Sequence, residues 1–324
     1  MGGKAVSAVA GERARDAVAV VFPGMGPTEF GAVAKFMLVD RFARELVAEA
    51  DDVLGYSLVD RYRDTEGDYS VYAQVAMLVN CLALARWAGE HLTSRADVCA
   101  GPSFGGKAAA VRSGALAFSD AVWLTAELAR REEAYFATAH RDVVTHSFAR
   151  VGEDALTEIL GELAAAGEWH DVSCQVDHDF HMVSLRESAL ERFQALLRAK
   201  GGLPLYSMRP PLHSAAFAPL RDEIDAEVLG AVRFADPELP VVADQDGSVL
   251  RTGAAVRRML SDGYVRQVRW PCVVATLRDL GVGTVHVCGP DRLFGRVGVT
   301  RRNFTVEAVN PRRALRPRRR QVAV

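Results

Sequence analysis

The pentapeptide Gly101-Pro102-Ser103-Phe104-Gly105, directly after the apolar run Val98-Cys99-Ala100, constrains this chain more than any other feature. It reads as a strand that ends in a sharp turn and passes into a helix. Glycines at both ends of G-x-S-x-G let the backbone turn without steric clash, and the turn lifts the Ser103 hydroxyl out of the sheet. The first helical N–H groups point at the same spot. That geometry suits acyl transfer, because a serine ester forms beside donors already aimed at its oxyanion. The same spacing also occurs in ordinary turns, so the pentapeptide alone leaves both readings open.

Three further segments bear on the choice. Val20-Val21-Phe22-Pro23-Gly24-Met25-Gly26 is a buried strand running into a Gly-rich loop. Pro210-Pro211-Leu212-His213-Ser214 supplies a histidine where the chain leaves another strand, and Val285-His286-Val287-Cys288-Gly289-Pro290 is a strand ending in a Gly-Pro turn. In this order the four pieces resemble the malonyl-CoA:acyl carrier protein transacylase family, the acyltransferases of fatty-acid and polyketide synthesis. The resemblance runs from Ala17 to Val309.

Bulk properties agree with an enzyme of that kind. At 324 residues and 49% apolar composition, the chain can bury one large core plus a subdomain. A net charge of −2 argues neither for nor against nucleic acid. No apolar run reads as a membrane span, and residues 1–15 lack a signal-peptide apolar region. Cys81, Cys99, Cys174, Cys272 and Cys288 are scattered through mostly apolar segments and read as reduced core residues of a cytoplasmic protein. There is no CxxC pair, and no metal site is expected. His178-Asp179-Phe180-His181 reads as a hairpin turn. Arg312, Arg313, Arg316, Arg318, Arg319 and Arg320 form a basic tail, either simply solvated or drawn to an acidic partner. Nucleic-acid binding would need aromatic or groove-reading companions, which this run lacks.

Pattern places helices over 30–49, 72–91, 106–112 and 120–138. Residues 143–208 then follow a rhythm of their own: strand 143–151, helix 154–166, strands 171–176 and 180–185, helix 188–199 and strand 203–208. That βαββαβ order predicts a ferredoxin-like unit, and Pro210-Pro211 marks the return to the main body. The expected fold is therefore α/β, with an α/β-hydrolase-like core (17–140 and 209–309), an inserted ferredoxin-like βαββαβ subdomain (141–208) and a basic tail (310–324). The resemblance implies the same insert and puts the substrate cleft at its junction with the core.

Serine is a weak nucleophile at neutral pH and requires an adjacent base. The resemblance assigns that pair to Ser103 and His213, working by ping-pong transfer to the thiol of a phosphopantetheine arm, with no bound cofactor. It also implies backbone oxyanion donors at Met25 and Phe104, and a carbonyl near Gly263 that orients the imidazole, if Trp270 matches the family's aromatic. Gln74 matches a family glutamine facing the site, although an ordinary polar residue at a helix start is nearly as good a reading. The family usually has Gln and His where this chain has Met25 and Pro102; backbone donors survive such changes, but the surrounding shell differs.

The weightiest departure is Leu128. Malonyl- and methylmalonyl-loading members place there an arginine that clamps the substrate's free carboxylate. Arg130 and Arg131 lie close in sequence but are read as pointing away, two residues being about 200° round the helix. Burying a carboxylate against leucine would cost several kcal/mol without compensation. Pro210-Pro211-Leu212-His213 likewise replaces the HAFH or YASH of extender-loading relatives, so Pro102, Leu128, Leu212 and Gln74 are the expected pocket residues. The FPGMGP and GPSFGG variants resemble stand-alone acyltransferases of macrolactam polyketide pathways, used in antibiotic biosynthesis, which move an aminoacyl or dipeptidyl starter between acyl carrier proteins. The expectation is such a transferase, with an editing acyl-carrier-protein hydrolase or a malonyl-CoA:ACP transacylase as alternatives, and a catalytically silent docking protein as the non-enzyme reading. The implied partners are acidic carrier proteins, with no nucleic acid and no membrane. Arg150, Arg209, Arg301 and Arg302 are candidate contacts, each also readable as an ordinary solvated arginine.

Overall fold

The computed structural model describes residues 16–65, 67, 69–92 and 95–317. Arg318, Arg319 and Arg320 of the basic tail lie outside the described residues. In chain order the strands are β1 (Ala17–Val21), β2 (Val98–Ala100), β3 (Val143–Ala149), β4 (His170–Asp177), β5 (Phe180–Arg186), β6 (Leu203–Met208), β7 (Val241–Val242), β8 (Val249–Leu250), β9 (Val268–Arg269), β10 (Val282–Cys288) and β11 (Thr305–Val309).

These strands form two sheets in an α/β arrangement. The first has the order β11-β10-β1-β2-β7-β8, parallel from β11 to β7 and closed by the antiparallel β8. Its central strands, Ala17–Val21 and Val98–Ala100, are runs of valine, alanine and cysteine buried on both faces, as a helix-covered parallel sheet requires. In such sheets ligands collect outside the carboxyl ends of the strands. The FPGMG loop, the G-x-S-x-G turn and the Gly-Pro turn leave the carboxyl ends of β1, β2 and β10.

The second sheet has the order β6-β3-β5-β4-β9. Its first four strands are antiparallel and come from residues 143–208, whereas β9 arrives from the main body and pairs parallel to β4. Helices Glu153–Ala165 and Leu190–Ala199 pack on this sheet around Phe148, Ile159, Leu163, Phe193 and Leu197, an apolar cluster separate from the rest. The expected hairpin at 178–179 joins β4 to β5.

Two expectations change. The helix expected over 30–49 is broken in two, Phe30–Val39 and Arg41–Leu54, because Asp40 turns extended and its carboxylate accepts the N–H groups of Phe42 and Ala43. The helix Val71–His91 is 21 residues long with an 18-residue window of mean hydropathy 1.3, long and apolar enough to cross a membrane. Within the protein 83% of that window is buried. Its apolarity is thus spent on packing against the helices Arg41–Leu54 and Phe118–Thr138.

Candidate active site

β2 ends at Ala100 and helix Gly105–Arg112 begins five residues later. Between them Ser103 takes the left-handed φ of 52°, a strained conformation for a side-chain-bearing residue. The flanking glycines serve close approach. A Cβ on Gly101 would lie 2.2 Å from the Gly105 carbonyl oxygen, and one on Gly105 would lie 2.2 Å from that of Phe22, just past β1. The turn is held by the neighbouring strand: Asp244, two residues past β7, accepts the Ser103 N–H through Oδ2 at 2.6 Å. Burial raises the Asp244 carboxyl to about 6, with the Ser103 N–H opposing the rise.

His213 is also left-handed, with φ 64°. Its Nε2 stands 2.8 Å from Ser103 Oγ. The next residue pins the turn, because Ser214 N–H donates to the Tyr264 carbonyl and Ser214 Oγ donates to Asp171 Oδ2 at 2.7 Å. Burial pushes the His213 pKa down to about 4; the carbonyls of Gly263 and, less strongly, Arg266 favour the protonated ring. Nδ1 nevertheless meets no acceptor in hydrogen-bond geometry. Gly263 thus lies where it was expected, as an electrostatic neighbour of the ring without a formed hydrogen bond.

Ser103 and His213 open into a cavity of about 530 Å³ between the two sheets. Met25, Phe104, Gln74, Leu128, Leu212 and Gly263 all line it. The N–H groups of Met25 and Phe104 have no acceptor among the described residues. Gln74 donates through Nε2 to the Tyr69 carbonyl. Arg130 and Arg131 stay outside the cavity, paired with Glu127 and with Glu223 and Glu227. Pro102 departs from expectation: it lies outside the cavity wall, buried in the turn, where its carbonyl accepts the Gly105 N–H at 3.0 Å.

The four arginines do not form one patch. Arg150 follows β3 and Arg209 follows β6, and the antiparallel register of these strands sets them at opposite ends, roughly 20 Å apart. Arg209 is tied to the carbonyls of Arg141 and Val143 and to Glu187. Arg302 pairs with Asp177 beside the 178–179 hairpin, and Val151 N–H donates to the Asp179 carbonyl of the same hairpin. Arg150 and Arg302 therefore flank one feature and Arg209 another.

Comparison with known proteins agrees with this geometry. Residues 147–208 match the family described as VinK acyltransferase small domain. The malonyl CoA-acyl carrier protein transacylase of Escherichia coli O157:H7 is 28% identical over 305 residues, covering 90% of this chain and 95% of its own length. That of Bacillus subtilis strain 168 is 25% identical over 316 residues, covering 91% and 94%. Among solved structures, the acyl-carrier-protein S-malonyltransferase of Burkholderia pseudomallei 1710b superposes with a TM-score of 0.80 at 26% identity, covering 92% of this chain and 98% of that one. A malonyl-transacylase solved in complex with a type II PKS acyl-carrier protein shares the fold, with a TM-score of 0.80 at 24% identity and coverage of 91% and 96%. Over nine-tenths of its length the chain is thus similar to malonyl-CoA:acyl carrier protein transacylases.

Several lining residues escaped the sequence analysis, the charged Asp291 and Arg292 among them. Asp244 holds the turn, and Lys107, Glu132 and Tyr264 form a polar corner of the cavity. Tyr264 OH donates to Glu132 Oε1 at 2.7 Å. Lys107 Nζ lies 4.2 Å from the Phe104 ring centroid, and burial pushes its amine down to about 8 against the opposing charge of Glu132. One of these had a local signal. Glu132 is four residues after Leu128 within the helix Phe118–Thr138, the spacing that puts side chains on one helix face.

Proposed function

We propose that this chain is a cytoplasmic acyltransferase that moves a non-carboxylated acyl group, an aminoacyl or dipeptidyl polyketide starter, between acyl carrier proteins through a Ser103 acyl-enzyme. The domain division that goes with this reading is an α/β-hydrolase-like core of 17–140 and 209–309 with a ferredoxin-like insert at 141–208. The order β6-β3-β5-β4 within the second sheet supports it.

The observation that carries the reading is the 2.8 Å contact of Ser103 Oγ with His213 Nε2 in a cavity whose wall carries Leu128 and, one turn on, Glu132. The neutral His213 ring takes the Ser103 proton as Oγ attacks the thioester carbonyl carbon. The N–H groups of Met25 and Phe104 hold the tetrahedral oxyanion. Collapse breaks the C–S bond, and the proton on His213 goes to the departing pantetheine thiolate. The thiol of the second carrier then repeats the sequence in reverse, giving up its proton to His213 as it attacks the Ser103 ester. No bound cofactor is required.

A carboxylated chain would meet apolar Leu128 and the negative Glu132. A second reading, malonyl transfer, is favoured by a specific observation: the cations Lys107 and Arg292 also line the cavity. Carrier docking on the Arg150, Arg301 and Arg302 side is the partner surface we favour, since Arg209 is held by two carbonyls and Glu187, whereas Arg302 is 65% exposed and has a single 3.5 Å pair with Asp177.

Intact-protein mass spectrometry after brief exposure to malonyl-CoA, simple acyl-CoAs, and aminoacyl and dipeptidyl carrier proteins separates the readings. A Ser103-dependent adduct from the neutral or amino-bearing carriers, absent in Ser103→Ala and absent with malonyl-CoA, is expected. Efficient malonyl loading overturns the starter-transfer reading in favour of malonyl transfer.

A further inference from the structure

Lys107, Glu132, Asp244, Asp291 and Arg292 are the Asp, Glu, Lys and Arg residues on the cavity wall. Asp244 accepts from Ser103 N–H, Asp291 accepts from the N–H groups of Leu293, Phe294 and Gly295, and Arg292 is exposed. That leaves Lys107 and Glu132 as two buried, opposite charges that do not touch. Lys107 and Glu132 are 7% and 6% exposed, respectively, yet among the described residues their side chains form no direct ion pair. Tyr264 occupies one Glu132 oxygen, and no hydrogen-bond acceptor takes Lys107 Nζ among the described residues. Two charges removed from bulk water and held apart are poorly compensated. Their best ligand is a group that satisfies both.

We propose that Lys107 and Glu132 are the specificity determinants for an amide in the acyl chain, whose carbonyl accepts from the Lys107 ammonium while its N–H donates to the Glu132 carboxylate. This rests on the acyl-transfer reading above and deepens it by naming the functional group that the pocket selects. The alternatives are each penalised. An ammonium set at this corner, as in a plain aminoacyl chain, gains Glu132 but is repelled by Lys107, so of the two starters the dipeptidyl one, with its amide here and its ammonium farther along, is favoured. A carboxylate gains Lys107 but is repelled by Glu132, and an alkyl chain strands both charges. A neutral dipole of amide geometry leaves neither charge unpaired. The pocket is thereby matched to a peptidyl chain.

The test uses pantetheine thioesters of equal chain length carrying an internal amide, an alkyl segment, a terminal ammonium or a terminal carboxylate. The rate of Ser103 adduct formation is read by intact mass in the wild type, Glu132→Gln and Lys107→Met. The wild type is expected to favour the amide over the alkyl chain about tenfold or more. Lys107→Met is expected to shift preference toward the ammonium chain, and Glu132→Gln toward the carboxylate chain, each about tenfold. Shifts of opposite sign are a readout that a merely structural pair would not give. Equal rates for amide and alkyl chains in the wild type overturn the proposal even if the variants fail to fold, as do unchanged preferences in both folded variants. If no thioester acylates a Ser103 that a fluorophosphonate still labels, the acyl-transfer reading itself falls.

Discussion

Replacing Asp244 by asparagine should stabilise the fold at neutral pH while loosening the nucleophile turn. The carboxyl titrates near 3.8 when exposed and at about 6 in the folded chain, where burial outweighs the 2.6 Å bond from Ser103 N–H. A carboxyl whose pKa is raised on folding binds its proton more tightly in the native state. Stability therefore falls as pH rises from about 4 to about 6, and the penalty is fully present above that window. The displacement is worth about 3 kcal/mol at pH 7. Asparagine keeps an acceptor for the Ser103 N–H and abolishes the buried charge. Its NH2 group needs a partner, which returns about 1–2 kcal/mol of the gain. Urea unfolding of both proteins, followed by tryptophan fluorescence, should show Asp244→Asn ahead by about 1–3 kcal/mol at pH 7. The gap should close toward pH 4, where Asp244 is protonated too. An asparagine variant less stable than wild type at pH 7, or a gap that ignores pH, refutes the reasoning. The neutral amide also grips the strained Ser103 backbone less firmly, so fluorophosphonate labelling should slow severalfold.

Other expectations concern the same site. Gly105→Ala would put a Cβ 2.2 Å from the Phe22 carbonyl oxygen, forcing the helix away from β1 at a cost of about 1–3 kcal/mol or more; wild-type urea stability together with wild-type labelling of Ser103 would contradict this. Because His213 must be neutral to take the Ser103 proton and burial lowers its pKa to about 4, acylation measured in the Asp244→Asn background should stay level down to pH 5 and lose rate near pH 4. A limb at the ordinary histidine value would show the ring to be far less buried. Leu128→Arg sets a cation one turn from Glu132, so neutral chains should load about tenfold more slowly or worse. Malonyl-CoA should load Ser103 only when Glu132→Gln is added, and malonyl loading by the single variant would argue against Glu132 as the neutralising group.

Much of the site was legible because its signals are local. The βαββαβ rhythm of 143–208 follows from runs of alternating or apolar residues, and β3 to β6 and their two helices fall within a few residues of expectation. Leu128 was placed on the cavity wall by matching it to the position of the family's arginine. Helix spacing turns Arg130 about 200° away from it, whereas Arg131, three residues on, is kept off the wall by its pairs with Glu223 and Glu227. The misreadings are equally instructive. Asp40 was passed over in an apolar pattern because a cap acts through its side chain, which periodicity ignores. Val71–His91 was not read as a membrane-length helix, and its burial shows where its apolar surface goes. Pro102 was assigned to the pocket because it stands where the family usually has a histidine, but neighbours along a tight turn point in different directions.

By itself the sequence determined the turn chemistry: small glycines where backbones touch, a serine between them, valine-rich central strands and a histidine after Pro-Pro. These depend on sterics and burial preferences within a few residues. Only the tertiary structure decided which distant groups meet. Ser103 and His213 are 110 residues apart, Ser103 and Asp244 141, and Glu132 and Tyr264 132. Lys107 and Glu132 are the buried opposite charges on the wall that meet neither each other nor another ion, and each would be read as a solvated helix residue on its own. Their meaning arises from burial beside one another, where low dielectric makes an unpaired charge costly and so turns two commonplace side chains into a demand for a particular ligand.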